Sequence, residues 1–197
     1  GMLAPDLVEP RDQVPQRALL LEVPRPELVL LVARQLLDAG PRLVLAARDA
    51  ARLESVATEA RALGAECLVV PGDLTERAAC DSLVAATLAR FGRIDVVIAN
   101  AGVTMWARFD ALDDLAIVER TMRINYYSVA WLTHAALPAL KAARGRLAVV
   151  ASVAGLAGVP ERTAYAASKH AVVGFMDSLR IELAGTLVVV ARIAVVE

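Results

Sequence analysis

Tyr165 and Lys169, in the run Tyr165-Ala166-Ala167-Ser168-Lys169, stand four residues apart, with Ser152 thirteen residues upstream of the tyrosine. On a helix that spacing brings phenol and ammonium onto one face. A free phenol ionises near pH ~10, and a neighbouring cation favours the phenolate. Such a tyrosine can exchange a proton with a substrate oxygen closer to neutrality. Taken alone, Tyr-x-x-x-Lys is more often an ordinary helix-surface pair, so other residues must decide.

Several others accompany it. Asn100-Ala101-Gly102 follows the apolar run Val96-Val97-Ile98, Asn125 lies in Arg123-Ile124-Asn125-Tyr126, and Val149-Val150-Ala151-Ser152-Val153-Ala154-Gly155 precedes the tyrosine. In order and spacing these motifs resemble the single-domain branch of the short-chain dehydrogenase/reductase family, over roughly Leu43 to Leu183. The resemblance implies that Tyr165 is the general acid/base and that Lys169 assists its ionisation and holds the nicotinamide ribose. Ser152 would hydrogen-bond the substrate oxygen, and Asn125 would hold the water that links Lys169 to solvent. Outside such a set, a buried serine is more often a structural hydroxyl, and an asparagine within a helix more often a kink or a cap.

These side chains need a frame. Apolar runs at Ala18 to Leu21, Leu43 to Ala46, Cys67 to Val70, Val96 to Ile98, Leu147 to Ala151 and Leu187 to Ile193 read as strands. Helical patterns fill Ala50 to Leu63, Glu76 to Phe91, Leu115 to Leu140 and Thr163 to Leu183. The alternation predicts an α/β fold, a doubly wound parallel sheet of Rossmann-like type with helices on both faces. Right-handed crossovers then place every strand's C-terminal end along one edge, where ligands of such sheets bind. Residues 1–16, rich in proline and charge, read as a flexible tail, and residues 17–197 as one domain.

Cofactor preference is read where Ala46-Ala47-Arg48-Asp49 ends the second strand. An acidic side chain there suits the ribose hydroxyls of NAD, whereas an arginine forks onto a 2'-phosphate, so Arg48 points to NADP rather than NAD. The competing reading is a solvent-exposed arginine at a helix start. Asp73, in Gly72-Asp73-Leu74-Thr75, resembles the family's residue at the adenine ring and is equally suited to cap the next helix. Asn100, Ala101 and Gly102 would line the cofactor cleft.

Two departures from the family stand out. Its glycine-rich turn falls on Glu22-Val23-Pro24-Arg25-Pro26-Glu27-Leu28-Val29, which contains no glycine. Pro24 and Pro26 offer no amide hydrogen and Glu22 and Glu27 bring negative charge, so this loop is expected to bind a pyrophosphate poorly. The chain also runs out at Ala191-Arg192-Ile193-Ala194-Val195-Val196-Glu197, where the family continues into a last strand and a lid, which predicts a site open to water. Three accounts fit: a variant that has lost cofactor binding, a working reductase whose sequence is imperfectly recorded here, or a shortened protein acting as scaffold or partner subunit.

Composition narrows the class. A chain of 197 residues with 57% hydrophobic residues can bury a sizeable core. A formal net charge of -1 argues against a nucleic-acid binder. No apolar run is long enough for a membrane span and no start reads as a signal peptide; Gly1-Met2 reads as a tag remnant. Cys67 and Cys80 lack metal-ligand spacing and read as reduced thiols of a cytoplasmic protein, and no metal site is expected. Val103, Met105, Trp106, Phe109, Leu156, Val159 and Pro160 form either an apolar rim suited to a hydrophobic ketone or alcohol, or the core of two loops. Trp131, Leu132, Ala135, Leu137, Phe175, Met176 and Leu179 suggest either a homodimer or homotetramer face, as the family resemblance implies, or packing on the sheet. The predicted activity is the NADP-dependent interconversion of a carbonyl and an alcohol; the alternative is a cofactor-impaired, non-catalytic family member that acts by association.

Overall fold

A computed structural model of the chain describes residues 41–186 in full and the backbone of two further strands. The elements are β1 (Ala18–Glu22), β2 (Arg42–Ala47), α1 (Ala50–Ala62), β3 (Glu66–Pro71), α2 (Arg77–Phe91), β4 (Val96–Ala99), α3 (Ala116–Met122), α4 (Ser128–Ala143), β5 (Arg146–Ser152), α5 (Thr163–Glu182) and β6 (Val189–Val195). A π-helical turn at Arg123–Tyr127 joins α3 to α4. The strands form one sheet in the order β3-β2-β1-β4-β5-β6, every neighbouring pair parallel.

That order winds outward from the centre in both directions. β1 therefore lies between β2 and β4, with Leu20 opposite both Val44 and Val97. Beyond the C-terminal ends of β1 and β4 the winding reverses, which is where a doubly wound sheet opens its ligand crevice. The doubly wound α/β fold expected from the sequence is the fold observed. Leu187 and Val188, the start of the last predicted strand, lie outside the described residues, as do the predicted tail at 1–16 and the Val23 to Val29 part of the altered turn.

Both faces of the sheet are covered, which is why its strands read as apolar runs rather than alternations. Leu43 and Leu45 of β2 pack with Ile98 against Leu53, Val56, Ala57 and Ala60 of α1. Val44 and Ala46 point the other way, into a core with Val97, Leu147 and Val149 from the sheet, Cys80 and Leu83 from α2, Leu132 and Leu140 from α4, and Val172 and Met176 from α5. Each fully buried leucine contributes about 1.5–3 kcal/mol. The α1 positions recur every three or four residues, one helical stripe. Its start is fixed by Asp49, whose carboxylate accepts from the backbone N–H of Arg52 at 3.0 Å.

Three of the residues that suggested an association face are core in the single chain: Leu132 is 0% exposed, Met176 1% and Leu179 8%. Trp131, Ala135, Leu137 and Phe175 pack at the margin of that core. Tyr127 stacks on Trp131, with ring centroids 5.6 Å apart. Among the described residues no helix is long and apolar enough to cross a membrane.

Candidate functional site

The helix predicted over Leu115 to Leu140 is interrupted at Asn125. Within the π-helical turn the backbone N–H of Ser128 bonds to the carbonyl of Arg123, one residue further back than in an α-helix. Asn125, 1% exposed, accepts from Val103 N–H through Oδ1 at 2.8 Å and donates through Nδ2 to the Val103 carbonyl at 2.9 Å. The same Nδ2 lies 2.9 Å from Ser168 Oγ, and Ser168 Oγ donates to the Tyr165 carbonyl at 2.7 Å. One amide thus ties the segment after β4 to both long helices.

Lys169 and Tyr165 are both 5% exposed, and the ammonium nitrogen lies 5.8 Å from the tyrosine ring centroid. Lys169 Nζ also donates to the carbonyl of Val150 at 2.9 Å, so the side chain spans from α5 to the end of β5. Ser152 ends that strand, 3% exposed, its hydroxyl oxygen accepting from Ala154 N–H at 3.2 Å. The following 3-10 turn, Val153–Gly155, lies hard against α5. A Cβ at Gly155 would sit 2.8 Å from the Lys169 carbonyl oxygen, so only glycine allows this approach. At Gly102 a Cβ would lie 3.6 Å from Asn125 Oδ1 and 3.7 Å from Lys169 Nζ. The missing side chain leaves open the space in front of the ammonium.

A cleft of about 280 Å³ runs from this point along the ends of β2 and β3. Its lining includes Arg48, Arg52, Gly72, Asp73, Thr75, Ala101, Gly102, Val103 and Ser128. Arg48 is exposed, with its side chain available to the cleft. Arg52 and Thr75 were not singled out in the sequence; Arg52 lies in the first turn of the helix that follows Arg48, a position that could have found it. Asn100 is half-buried at the end of β4 and is not part of this lining, whereas Ala101 and Gly102 are.

Asp73 does not cap α2, the alternative its sequence position allowed. Its Oδ1 accepts from Thr75 N–H at 3.0 Å and from the Thr75 hydroxyl at 2.8 Å, closing the turn before the helix, whose own cap position is Glu76. The carboxyl is held below the usual aspartate range first by the Thr75 N–H, with burial opposing, and then by the Thr75 hydroxyl and the Arg48 charge. It is therefore an anion at neutral pH, a hydrogen-bond acceptor beside two arginines.

The apolar residues around the 103–109 loop separate into two sets. Met105 is 2% exposed and packs with Tyr165, Ala154, Ala164 and Val159, so Met105 and Val159 belong to the core of the two loops and not to a rim. Trp106, Phe109 and Leu156 are 67%, 55% and 65% exposed, and Pro160 is exposed as well. Phe109 opens a short 3-10 turn, Phe109–Ala111.

The donor set fits the adenosine side of a nicotinamide dinucleotide, with arginines, a carboxylate and Gly102 lining the cleft. Ser152, Tyr165, Lys169 and Asn125 are not part of this lining, and Lys169 Nζ reaches it only through its approach to Gly102. The family model described as short chain dehydrogenase matches residues 29–196. Curated relatives include 11-beta-hydroxysteroid dehydrogenase-like 4A of Arabidopsis thaliana, 39% identical over 73% of this chain and 48% of its own length. Another is 11-beta-hydroxysteroid dehydrogenase A of Sesamum indicum, 36% identical over 73% of this chain and 41% of its own. The chain thus spans about half the length of the curated relatives it matches. A crystal structure of a short chain dehydrogenase/reductase from Burkholderia phymatum in complex with NAD superposes with a TM-score of 0.85, 26% identical, covering 92% of this chain and 66% of that one. Sheet order, site architecture and these matches agree: the chain belongs to the short-chain dehydrogenase family.

Proposed function

We propose that this chain is an NADP(H)-dependent oxidoreductase that interconverts a carbonyl and an alcohol, with Tyr165 as general acid/base. The observation that carries this reading is the meeting of Asn125, Lys169 and Gly102 at one point on the switch-point edge, with Tyr165 beside the ammonium. A bound nicotinamide supplies or accepts the hydride. Tyr165 gives its phenol proton to the oxygen of a carbonyl substrate, or takes the proton of an alcohol. Lys169 stabilises the phenolate and holds the ribose, and Ser152 hydrogen-bonds the same substrate oxygen as its charge changes. Asn125 fixes the loop that carries Gly102 and, in the family's manner, holds a water that connects Lys169 to solvent.

Arg48 and Arg52, which line the cleft with Asp73, support NADP over NAD because guanidinium groups suit a 2'-phosphate, and Asp73 would take the adenine end as the family resemblance implies. Ala101 and Gly102 line the cofactor side, with Asn100 just behind them at the end of β4. Exposed Trp106, Phe109 and Leu156 favour a hydrophobic carbonyl or alcohol, which suits relatives named for hydroxysteroids. A homodimer or homotetramer and a cytoplasmic setting belong to the same proposal; Cys67 and Cys80 form no disulfide.

Fluorescence titration of the chain with NADPH, and with NADH in parallel, tests the cofactor half of the reading. Micromolar binding with NADPH preferred is expected, and no binding at millimolar cofactor would overturn it. Turnover with hydrophobic ketones tests the rest: Tyr165→Phe should abolish it and leave NADPH binding intact.

A further inference from the structure

Serine is disfavoured relative to alanine inside a helix, because its hydroxyl competes for backbone groups. Ser168 nevertheless stands within α5, 0% exposed, between Tyr165 and Lys169. Its hydroxyl donates to the Tyr165 carbonyl one turn back at 2.7 Å, which commits its single hydrogen. Towards Asn125 Nδ2, 2.9 Å away, the same oxygen therefore acts as an acceptor.

Asn125 is oriented in the same sense from its other side. The Val103 N–H requires an acceptor and meets Oδ1 at 2.8 Å, and the Val103 carbonyl requires a donor and meets Nδ2 at 2.9 Å. Those two bonds use one hydrogen of the amide group, and Ser168 Oγ takes the other. Turning the amide over would oppose like groups at Val103 and strand the Ser168 oxygen. One direction of donation thus runs from Asn125 through Ser168 to the Tyr165 carbonyl, between side chains 43 residues apart. Its other end faces the cleft: Gly102 and Val103 belong to the lining, and a Cβ at Gly102 would lie 3.6 Å from Asn125 Oδ1.

We infer that Ser168 is a positioning residue for the 102–103 wall of the cleft: by accepting the second amide hydrogen of Asn125 it locks that side chain onto Val103 and ties the wall to the helical turn that carries Tyr165. The wall's part in holding a cofactor rests on the function proposed above, whereas the lock itself does not. Without the Ser168 hydroxyl, Asn125 keeps one donor unfilled in a buried place and swings away from Val103 more readily.

Native-state amide hydrogen exchange of the full chain, without cofactor, tests the inference. Ser168→Ala should speed exchange of the Val103 amide about tenfold, the loss of one buried hydrogen bond of ordinary strength, while Val44 and Val97 in the sheet change less. Ser168→Cys keeps most of the volume but bonds weakly, so it should resemble the alanine variant and not the wild type. Cysteine restoring full protection would assign the effect to volume and overturn the inference. So would a Val103 amide that is unprotected in the wild type, unchanged in Ser168→Ala, or altered only in step with Val44 and Val97. Should Ser168→Ala not fold, Ser168→Cys carries the comparison with the wild type. Fluorescence titration with NADPH is scored separately: affinity should fall about as far as the Val103 protection, and lost protection with full affinity overturns the positioning role. A wild-type chain that binds no NADPH yet shows the selective exchange defeats the cofactor reading alone, and a chain that binds NADPH with Val103 exchange unmoved defeats the inference alone.

Discussion

The side-chain amide of Asn125 is bonded at both ends to the backbone of Val103, with Oδ1 accepting its N–H at 2.8 Å and Nδ2 donating to its carbonyl at 2.9 Å. This is the exchange that a neighbouring strand would make, supplied by one side chain to a segment that has left the sheet. It fixes the backbone beside Gly102, whose Cα faces Lys169 Nζ and Asn125 Oδ1. Asn125 stands within the π-helical turn at Arg123–Tyr127, and such single widened turns are frequent at functional sites.

Replacing Asn125 with alanine leaves the Val103 N–H and carbonyl to find other partners in a partly buried position. Each such group costs about 1–3 kcal/mol when left unsatisfied. Urea unfolding of Asn125→Ala should show a loss of that order, with cofactor affinity falling alongside as Gly102 shifts. A variant as stable as the wild type would mean that the segment is held by other contacts.

Gly155 and Gly158 make a matched pair for testing how closely the turn after Ser152 must approach α5. A Cβ at Gly155 would lie 2.8 Å from the Lys169 carbonyl oxygen and 3.0 Å from Val173 Cγ2, whereas one at Gly158 meets nothing within 4 Å. Gly155→Ala should therefore destabilise the fold by about 1–3 kcal/mol, the usual result of forcing volume into a filled space. Gly158→Ala should be neutral or slightly stabilising, because it only restricts the unfolded chain. Thermal unfolding of both variants decides it, and equal midpoints would contradict the packing described.

The sheet was legible in the sequence because its strands are buried on both faces and so appear as unbroken apolar runs such as Leu43 to Ala46. Tyr165 and Lys169 were brought together by their helical spacing, whereas Ser152 and Asn125 were picked out by the resemblance to the family and not by any spacing of their own. The widened turn at Asn125 left no mark, since an added residue within one turn barely alters the 3.6-residue pattern around it. Ser168 was passed over because its partner Asn125 stands 43 residues away and is brought to it by the fold. Met105 and Trp106 are neighbours of similar character, yet one is buried and the other exposed; that division depends on how the loop folds against α5.

Acid should erase one small contribution to stability. Asp73 titrates below its ordinary value in the folded chain, through the Thr75 N–H first, with the Thr75 hydroxyl and the Arg48 charge adding to it. A carboxyl group depressed on folding stabilises the fold above its unfolded value, about 3.9, and loses that contribution as pH falls through the lower folded value. Wild type should therefore exceed Asp73→Asn in urea midpoint at about pH 6, and the two should converge as the solution is taken below the ordinary aspartate range. The gap is small because the group is largely exposed. A gap that persists unchanged into strong acid would assign it to shape and not to charge.

Arg48 and Arg52 line the same cleft from the end of β2 and the first turn of α1, with Asp73 across from them on the segment after β3. A ribose hydroxyl asks little of two guanidinium groups, whereas a 2'-phosphate offers them charged oxygens. Arg48→Gln should therefore weaken NADPH by about tenfold or more, the value of one charge-assisted hydrogen bond at about 1.5–3 kcal/mol, and leave NADH unchanged. Arg52→Gln should act in the same direction and less strongly, because its backbone is already committed to the Asp49 cap and its side chain approaches from one turn further on. Fluorescence titration with both cofactors separates the possibilities. Equal losses for NADPH and NADH would show that the arginines attract dinucleotides in general and would remove the ground for proposing NADP.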